Sequence, residues 1–241
     1  MKTILVPTDF SPAAIAARKF AVDLAKKFKA SIFLLHVIEA VDEGSFNIEG
    51  EAVADGSWED RLFNMKMIEK ARMQLAEATV EISKTGVPVQ SLLRMGNAYH
   101  GISSIISEQK ADLVVIGTEG DSTNAAVLIG TTTEKVVRRS HCPVITVNRN
   151  LKVDSLKSIV WATSLKPEDL EIPPVLREIV NEEGVTVHIV RINTPVLFMT
   201  DVTAKERLTS TAEFLKFKNY TINIFNDNEE AAGIIHFAAG I

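Results

Sequence analysis

Short apolar runs that alternate with helix-period segments constrain this chain more than any other feature. TILV at 3–6, SIFLLHVI at 31–38, VPVQSLLRM at 87–95, ADLVVIG at 111–117 and CPVITVN at 142–148 each read as a strand. The run at 31–38 is nearly continuous, as suits a parallel sheet covered on both faces. The segments between them carry helix signals. Ser11 is an N-cap candidate and Pro12 stands at the first helical position, where a missing N–H costs nothing. Ala17, Phe20, Ala21, Leu24 and Phe28 then recur at spacings of three and four. A helix over about 59–85 ends at Gly86, Asn97 caps another that runs to about 109 with Ile102, Ile105 and Ile106 inward, and a fourth covers 132–140. The acidic, glycine-containing stretch 41–58 reads as loop. Strands that alternate with helices predict an α/β domain with a doubly wound, Rossmann-like parallel sheet of five strands. Ligands of such sheets lie outside the carboxyl ends of the strands, near the reversal in strand order.

The pattern then restarts. At a shift of 155 residues KTILVPTDFSP (2–12) falls on KSIVWATSLKP (157–167), and SIFLLHVIEA (31–40) falls on TVHIVRINTP (186–195) without a gap. A duplication keeps such spacing; chance does not. The expected domains are therefore 1–149 and 156–241, joined by the polar RNLKVDSLK. NEEAAGIIHFAAGI at 228–241 matches the helix that begins at Asn97, so counterparts of residues 110–149 are lacking and the second domain is expected to be incomplete. Two explanations stand side by side, truncation of a longer protein and a naturally incomplete form. The open sheet edge that results favours truncation.

Composition excludes several classes. Of 241 residues 46% are hydrophobic and 24% charged, enough for a buried core. A formal net charge of −5 gives no electrostatic reason to seek nucleic acid or an anionic membrane. The N-terminal apolar stretch is too short for a signal sequence, no run is long enough to span a bilayer, and the single Cys142 cannot make an internal disulfide, so the expected setting is the cytoplasm. Cys142 before Pro143 reads as a small buried residue, His36 as a satisfied structural histidine, and the five histidines show no metal-type spacing.

One loop carries the chemistry. GTEGDSTNAAVLIGTTTEKVV at 117–137 places Gly117 and Gly120 at a strand's end, and Gly130 with Thr131, Thr132 and Thr133 at a helix start. Phosphate recognition uses inward backbone N–H groups, the absence of Cβ atoms and the positive end of a helix dipole. Asp9, at the end of the first strand, can accept hydrogen bonds from ribose hydroxyls, though a turn or helix-capping role competes evenly. Thr133 suits a cap better than a ligand contact. Backbone at 36–38 can meet a base edge.

LVPTDFSP, LLHV and the spacing G-x2-G-x9-G-[ST] together resemble the universal stress protein family, whose ATP-binding signature has that spacing. The resemblance covers 1–149 as a full domain and 156–241 as most of a second, so the chain looks like a tandem member. It implies that Asp9 contacts the ribose, that Pro7 and Thr8 line the adenosine pocket, and that Val37 offers backbone to adenine. It also implies that Gly117, Thr118, Gly120, Gly130, Thr131 and Thr132 surround the phosphates. Members of this type bind ATP, sometimes with a divalent cation such as Mg2+. Many self-associate through the last strand, and tandem members can pair their two domains in the same way. Two departures stand out: the residue after the second glycine, often basic in the family, is Asp121, and Glu119 lies between the glycines. In the second copy Asp9 becomes Ser164, Val37 becomes Ile192 and the glycine loop is lacking, so that copy is expected to bind no ATP.

No Walker A lysine follows a glycine, and no Ser/His/Asp order sits at the strand ends. An enzyme is therefore not expected, and slow ATP hydrolysis has no support in the sequence. Two functions remain open: an ATP-binding regulatory protein of the stress response, and a scaffold of the same fold that binds no nucleotide. A third, RNA binding through a GXXG loop, fits poorly, because that loop joins two helices and carries basic residues.

Overall fold

A computed structural model describes residues 1–39, 58–118, 130–148, 151–166 and 171–241. The expected loop at 41–58 lies almost wholly outside these residues. The chain divides into two compact units, Met1–Val153 and Asp154–Ile241.

The first unit runs β1 (Thr3–Pro7), α1 (Pro12–Phe28), β2 (Ser31–Ile38), α2 (Trp58–Ser83), β3 (Val89–Met95), α3 (Ala98–Glu108), β4 (Leu113–Gly117), α4 (Thr131–Arg139) and β5 (Val144–Val147). The five strands form one parallel sheet in the order β3-β2-β1-β4-β5. Strand order reverses between β1 and β4, so a crevice opens at their carboxyl ends. Ser11 caps α1 by accepting from Ala14 N at 3.2 Å, and Asn97 caps α3 by accepting from His100 N at 3.1 Å. Each helix starts where its cap satisfies an amide that has no partner within the helix.

Burial follows the periodicities. Ile4, Leu5 and Val6 of β1 and Leu113, Val114 and Val115 of β4 are fully buried, as central strands covered on both faces must be. Ala17, Phe20, Ala21 and Leu24 turn the apolar stripe of α1 onto this sheet. On α3, Ile102 and Ile105 are buried and Ile106 packs at the edge of a cluster with Leu5, Leu35, Val114, Ile116 and Cys142. Asp112 ties the amino ends of β1 and β4 together, its Oδ2 accepting from Lys2 N at 2.7 Å and Thr3 N at 2.9 Å.

The second unit contains β6 (Ser158–Ala162), α5 (Pro174–Val180), β7 (Thr186–Asn193), α6 (Asp201–Leu215), β8 (Tyr220–Asn226) and α7 (Glu230–Ala239). Its sheet is parallel, in the order β6-β7-β8. Thr3 pairs with Ser31 and Ser158 pairs with Thr186, so β6 and β7 keep the register of β1 and β2 at a constant offset of 155 residues. Ile32 pairs with Val89 and Val187 with Tyr220, so the third strand meets the equivalent residue of the second in both units, although Val89 and Tyr220 stand at a shorter offset than 155.

The turn after the first strand also recurs. Thr8 N donates to Leu35 O at 2.8 Å and Thr163 N to Val190 O at 3.0 Å. Phe10 N donates to Thr8 Oγ1 and Leu165 N to Thr163 Oγ1, at 3.1 and 2.9 Å. Phe10 and Leu165 both take a left-handed backbone, with φ of 65° and 63°. A bulky residue in that region is uncommon and persists only where its surroundings fix it.

Glycines at two helices mark close packing that the sequence reading passed over. A Cβ at Gly101 of α3 would lie 2.9 Å from Val37 Cγ2, and one at Gly233 of α7 would lie 2.5 Å from Ile192 Cγ2. Val37 and Ile192 are themselves related by the 155-residue offset. Among the described residues no helix is long and apolar enough to cross a membrane.

Burial pushes the Cys142 thiol up from its ordinary value, to about 11. The unfolded chain gives up that proton near pH 9 while the folded one holds it, so stability should decline as pH rises from about 9 towards 11. A thiol reagent at pH 8 should react slowly with the native protein and at the rate of a free thiol after denaturation.

Candidate functional site

A cavity of about 940 Å3 opens at the carboxyl ends of β1, β2 and β4. Its wall contains Pro7, Thr8 and Asp9 after β1, Leu35–Glu39 of β2 and its end, Gly117 and Thr118 after β4, and Gly130–Thr133 at the start of α4. Ala98 and Ile102 of α3 and Met67 of α2 complete much of the apolar side. Nine expected site residues thus meet in one cavity: Pro7, Thr8, Asp9, Val37, Gly117, Thr118, Gly130, Thr131 and Thr132. The tenth, Gly120, lies outside the described residues, as do Glu119 and Asp121.

The first wall is a folded turn. Asp9 Oδ1 accepts from Ser11 N at 2.9 Å, which closes an Asx turn ahead of α1. The turn role and the cavity position therefore coexist in one side chain, because Oδ2 makes no hydrogen bond to a described residue. His36 Nδ1 stands 2.7 Å from Thr8 O, and its ring packs on Phe10 with centroids 4.7 Å apart. His36 is the satisfied structural histidine that the sequence suggested, and it fixes the turn that carries Asp9.

At the opposite wall, Gly117 has a steric reason to be glycine. A Cβ there would come within 2.5 Å of the Ala13 carbonyl carbon and 2.6 Å of Ala14 N. No main chain gives way to that contact, so the absence of a side chain is what lets β4 end against the first turn of α1. Thr118 is buried and donates its N–H to Val147 O at 3.0 Å. Gly130 differs from Gly117: its φ of −57° suits any residue, and a Cβ would meet nothing within 4 Å.

Gly130 is the N-cap of α4 and provides no side-chain cap. The first amides of that helix, at Thr131, Thr132 and Thr133, have no partner within the helix, and these three residues line the cavity. Thr133 is not the cap that the sequence suggested. Its buried hydroxyl donates instead to Gly117 O at 3.3 Å and ties the helix start to the end of β4. Glu39 was also missed. Its Oε1 accepts from Ala98 N at 3.2 Å, beside the Asn97 cap, and its carboxylate lines the cavity. Among the described residues no group of three His, Cys, Asp or Glu side chains could hold a metal ion.

The second unit departs at the same place. Arg191 occupies the position of His36, is buried, and donates through Nη1 to Ser164 O at 2.9 Å and through Nη2 to Leu197 O at 3.0 Å. Asn193 clamps the following loop, Nδ2 donating to Met199 O at 3.0 Å while Oδ1 accepts from Met199 N at 3.3 Å. The guanidinium thus ties the turn after β6 to the loop after β7.

Residues 1–148 match the model of the universal stress protein family. The chain belongs to the universal stress protein family. A universal stress protein of Methanocaldococcus jannaschii is 29% identical over 151 residues, 63% of this chain and 84% of the relative. The crystal structure of a universal stress protein from Archaeoglobus fulgidus covers 99% of this chain and 83% of its own, with a TM-score of 0.75 at 19% identity, and shows the fold across both units. A family protein from Arabidopsis thaliana, solved with AMP bound, covers 62% of this chain and 93% of its own at 20% identity and a TM-score of 0.45.

Gly117→Ala should destabilise the first unit by about 1–3 kcal/mol, since the new methyl meets backbone. Gly130→Ala should cost less, about 1 kcal/mol at most, because it only weakens an N-cap. Urea denaturation followed through the first unit measures both.

Proposed function

We propose that the first unit binds an adenine nucleotide, ATP among them, and that the nucleotide is a regulatory ligand and not a substrate. The observation that carries this reading is the meeting of Asp9 with the uncapped start of α4 across one cavity of about 940 Å3. That volume is within the range of small-molecule sites. Asp9 Oδ2 accepts from the ribose hydroxyls. The apolar wall at Val37, Ile38 and Ile102 takes the base, with main chain at Val37 meeting its edge. The amides and hydroxyls of Thr131 and Thr132, with Gly117, Thr118, Gly120 and Gly130 beside them, receive the phosphates at the positive end of the helix. A Mg2+ ion would come bound to the phosphates, and the carboxylates of Asp9 and Glu39 are the hard oxygen donors among the described residues that line the cavity.

Neither Lys nor Arg lines the described cavity. Phosphoryl transfer relies on cations around the γ-phosphate and a positioned base, so the absence of cations supports a binding role. In the second unit, which we read as a degenerate copy of the first, Ser164 replaces the carboxylate and Arg191 closes the turn onto the next loop. One nucleotide per chain follows. A stress-response role would then arise from the state that the ligand stabilises.

A scaffold that pairs with itself or with partners is the alternative. It draws on two of the four edge strands among the described residues, β5 in the first unit and β6 in the second, each hydrogen-bonded to one neighbour. The two roles are compatible unless nucleotide fails to bind.

Thermal unfolding separates them. Ligand at one hundred times its Kd should stabilise by about 2.7 kcal/mol. Gly130→Leu places a side chain where the phosphates would lie, at a position with space and an ordinary φ, and should remove the shift while the variant stays folded. The absence of any shift with ATP and Mg2+ or with adenosine, both at millimolar concentration, overturns the nucleotide reading.

A further inference from the structure

We propose that the cavity of the first unit is a charge filter, which takes adenosine and its monophosphate in preference to free triphosphate and admits ATP as its divalent-cation complex. The inference rests on the nucleotide reading above and adds which member of that ligand class the site favours.

Two carboxylates, Asp9 and Glu39, line the cavity. Each has one oxygen held by a backbone amide, Ser11 N for Asp9 and Ala98 N for Glu39. Neither has an ion-pair partner among the described residues. The one basic side chain in the described lining is His36, whose Nδ1 is engaged with Thr8 O. Against these two full negative charges stands the start of α4, worth roughly half a positive charge. The balance is negative, and the whole chain, these two carboxylates included, carries a formal charge of −5.

Each phosphate added to adenosine therefore enters an unfavourable field. A cavity of about 940 Å3 is little more than a screening length across, so salt reduces this repulsion without abolishing it. A divalent cation on the triphosphate removes two charges from the ligand and offers the carboxylates a counter-ion. It does so without a metal cage in the protein, and the described residues contain none.

This order of preference has a distinct salt signature. In sites that attract anions, added salt weakens ATP binding. Here it should strengthen binding of metal-free ATP and leave adenosine nearly unchanged.

The test is calorimetric titration of the full chain with adenosine, AMP and ATP, each with EDTA and with Mg2+, at about 10 mM and about 150 mM ionic strength. Metal-free ATP should bind at least about tenfold more weakly than adenosine at the lower ionic strength. The gap should shrink with added salt and close with Mg2+. Glu39→Gln, which keeps an acceptor for Ala98 N, should narrow the adenosine-to-ATP ratio several-fold, with adenosine binding as the check that the site is formed. Metal-free ATP that binds as tightly as adenosine, or that weakens with salt, overturns the filter and leaves nucleotide binding standing. An unchanged ratio in Glu39→Gln also overturns it. If none of the three ligands binds, the nucleotide reading falls and the filter falls with it.

Discussion

At Gly117 the end of β4 lies against the first turn of α1 with no room for a side chain. The rest of the site depends on that contact. It sets the end of β4 beside the end of β1, where strand order reverses, and so opens the crevice between crossovers that leave in opposite directions. Thr133 then anchors the start of α4 to the same Gly117 carbonyl. Two strand ends and two helix starts are fixed by one glycine and one hydroxyl, which makes the cavity a consequence of main-chain packing more than of the side chains that line it.

Much of this was legible in the sequence because the signals were local. The apolar run at 31–38 became β2 with the same bounds, and Ser11 and Asn97 became the caps that their side-chain chemistry suggested. Asp9, Thr8 and Val37 reached the cavity because strand ends of a doubly wound sheet converge there. What the sequence concealed was tertiary. Spacing suggested a phosphate role for Gly117, whereas its contact with Ala13 is a packing requirement that no local pattern encodes. Gly101 and Gly233 carry no local signal, and each lies over a branched side chain, Val37 and Ile192 respectively. Glu39, just ahead of the stretch read as an acidic loop, carried no site signal, yet it meets the amide of Ala98 far along the chain. Thr133 suggested a cap by position, and the Gly117 carbonyl at the end of β4 takes its hydroxyl instead.

The two units show one scaffold with different chemistry. Strand register, the threonine-capped turn and the left-handed residue after it are held in both, and these are the elements that fix the backbone. The residue that presses on the turn is not held. In the first unit a small imidazole contacts Thr8 O and leaves space beyond it. In the second the longer guanidinium of Arg191 reaches Ser164 O and Leu197 O and binds the turn to the following loop. The register alignment already placed Arg191 on His36, so the exchange was visible in sequence, but its consequence needed the hydrogen bonds.

The central claim is that nucleotide lies between Asp9 and the start of α4, and amide hydrogen exchange tests it residue by residue. The amides of Thr131, Thr132 and Thr133 have no partner in the helix, so they exchange readily until a ligand accepts from them. With nucleotide bound, slowed exchange is predicted at Thr131–Thr133 and in the turn that carries Asp9, with no change around Ser164 and Arg191. Protection confined to the second unit, or none at Thr131–Thr133 under saturating ligand, would contradict the account.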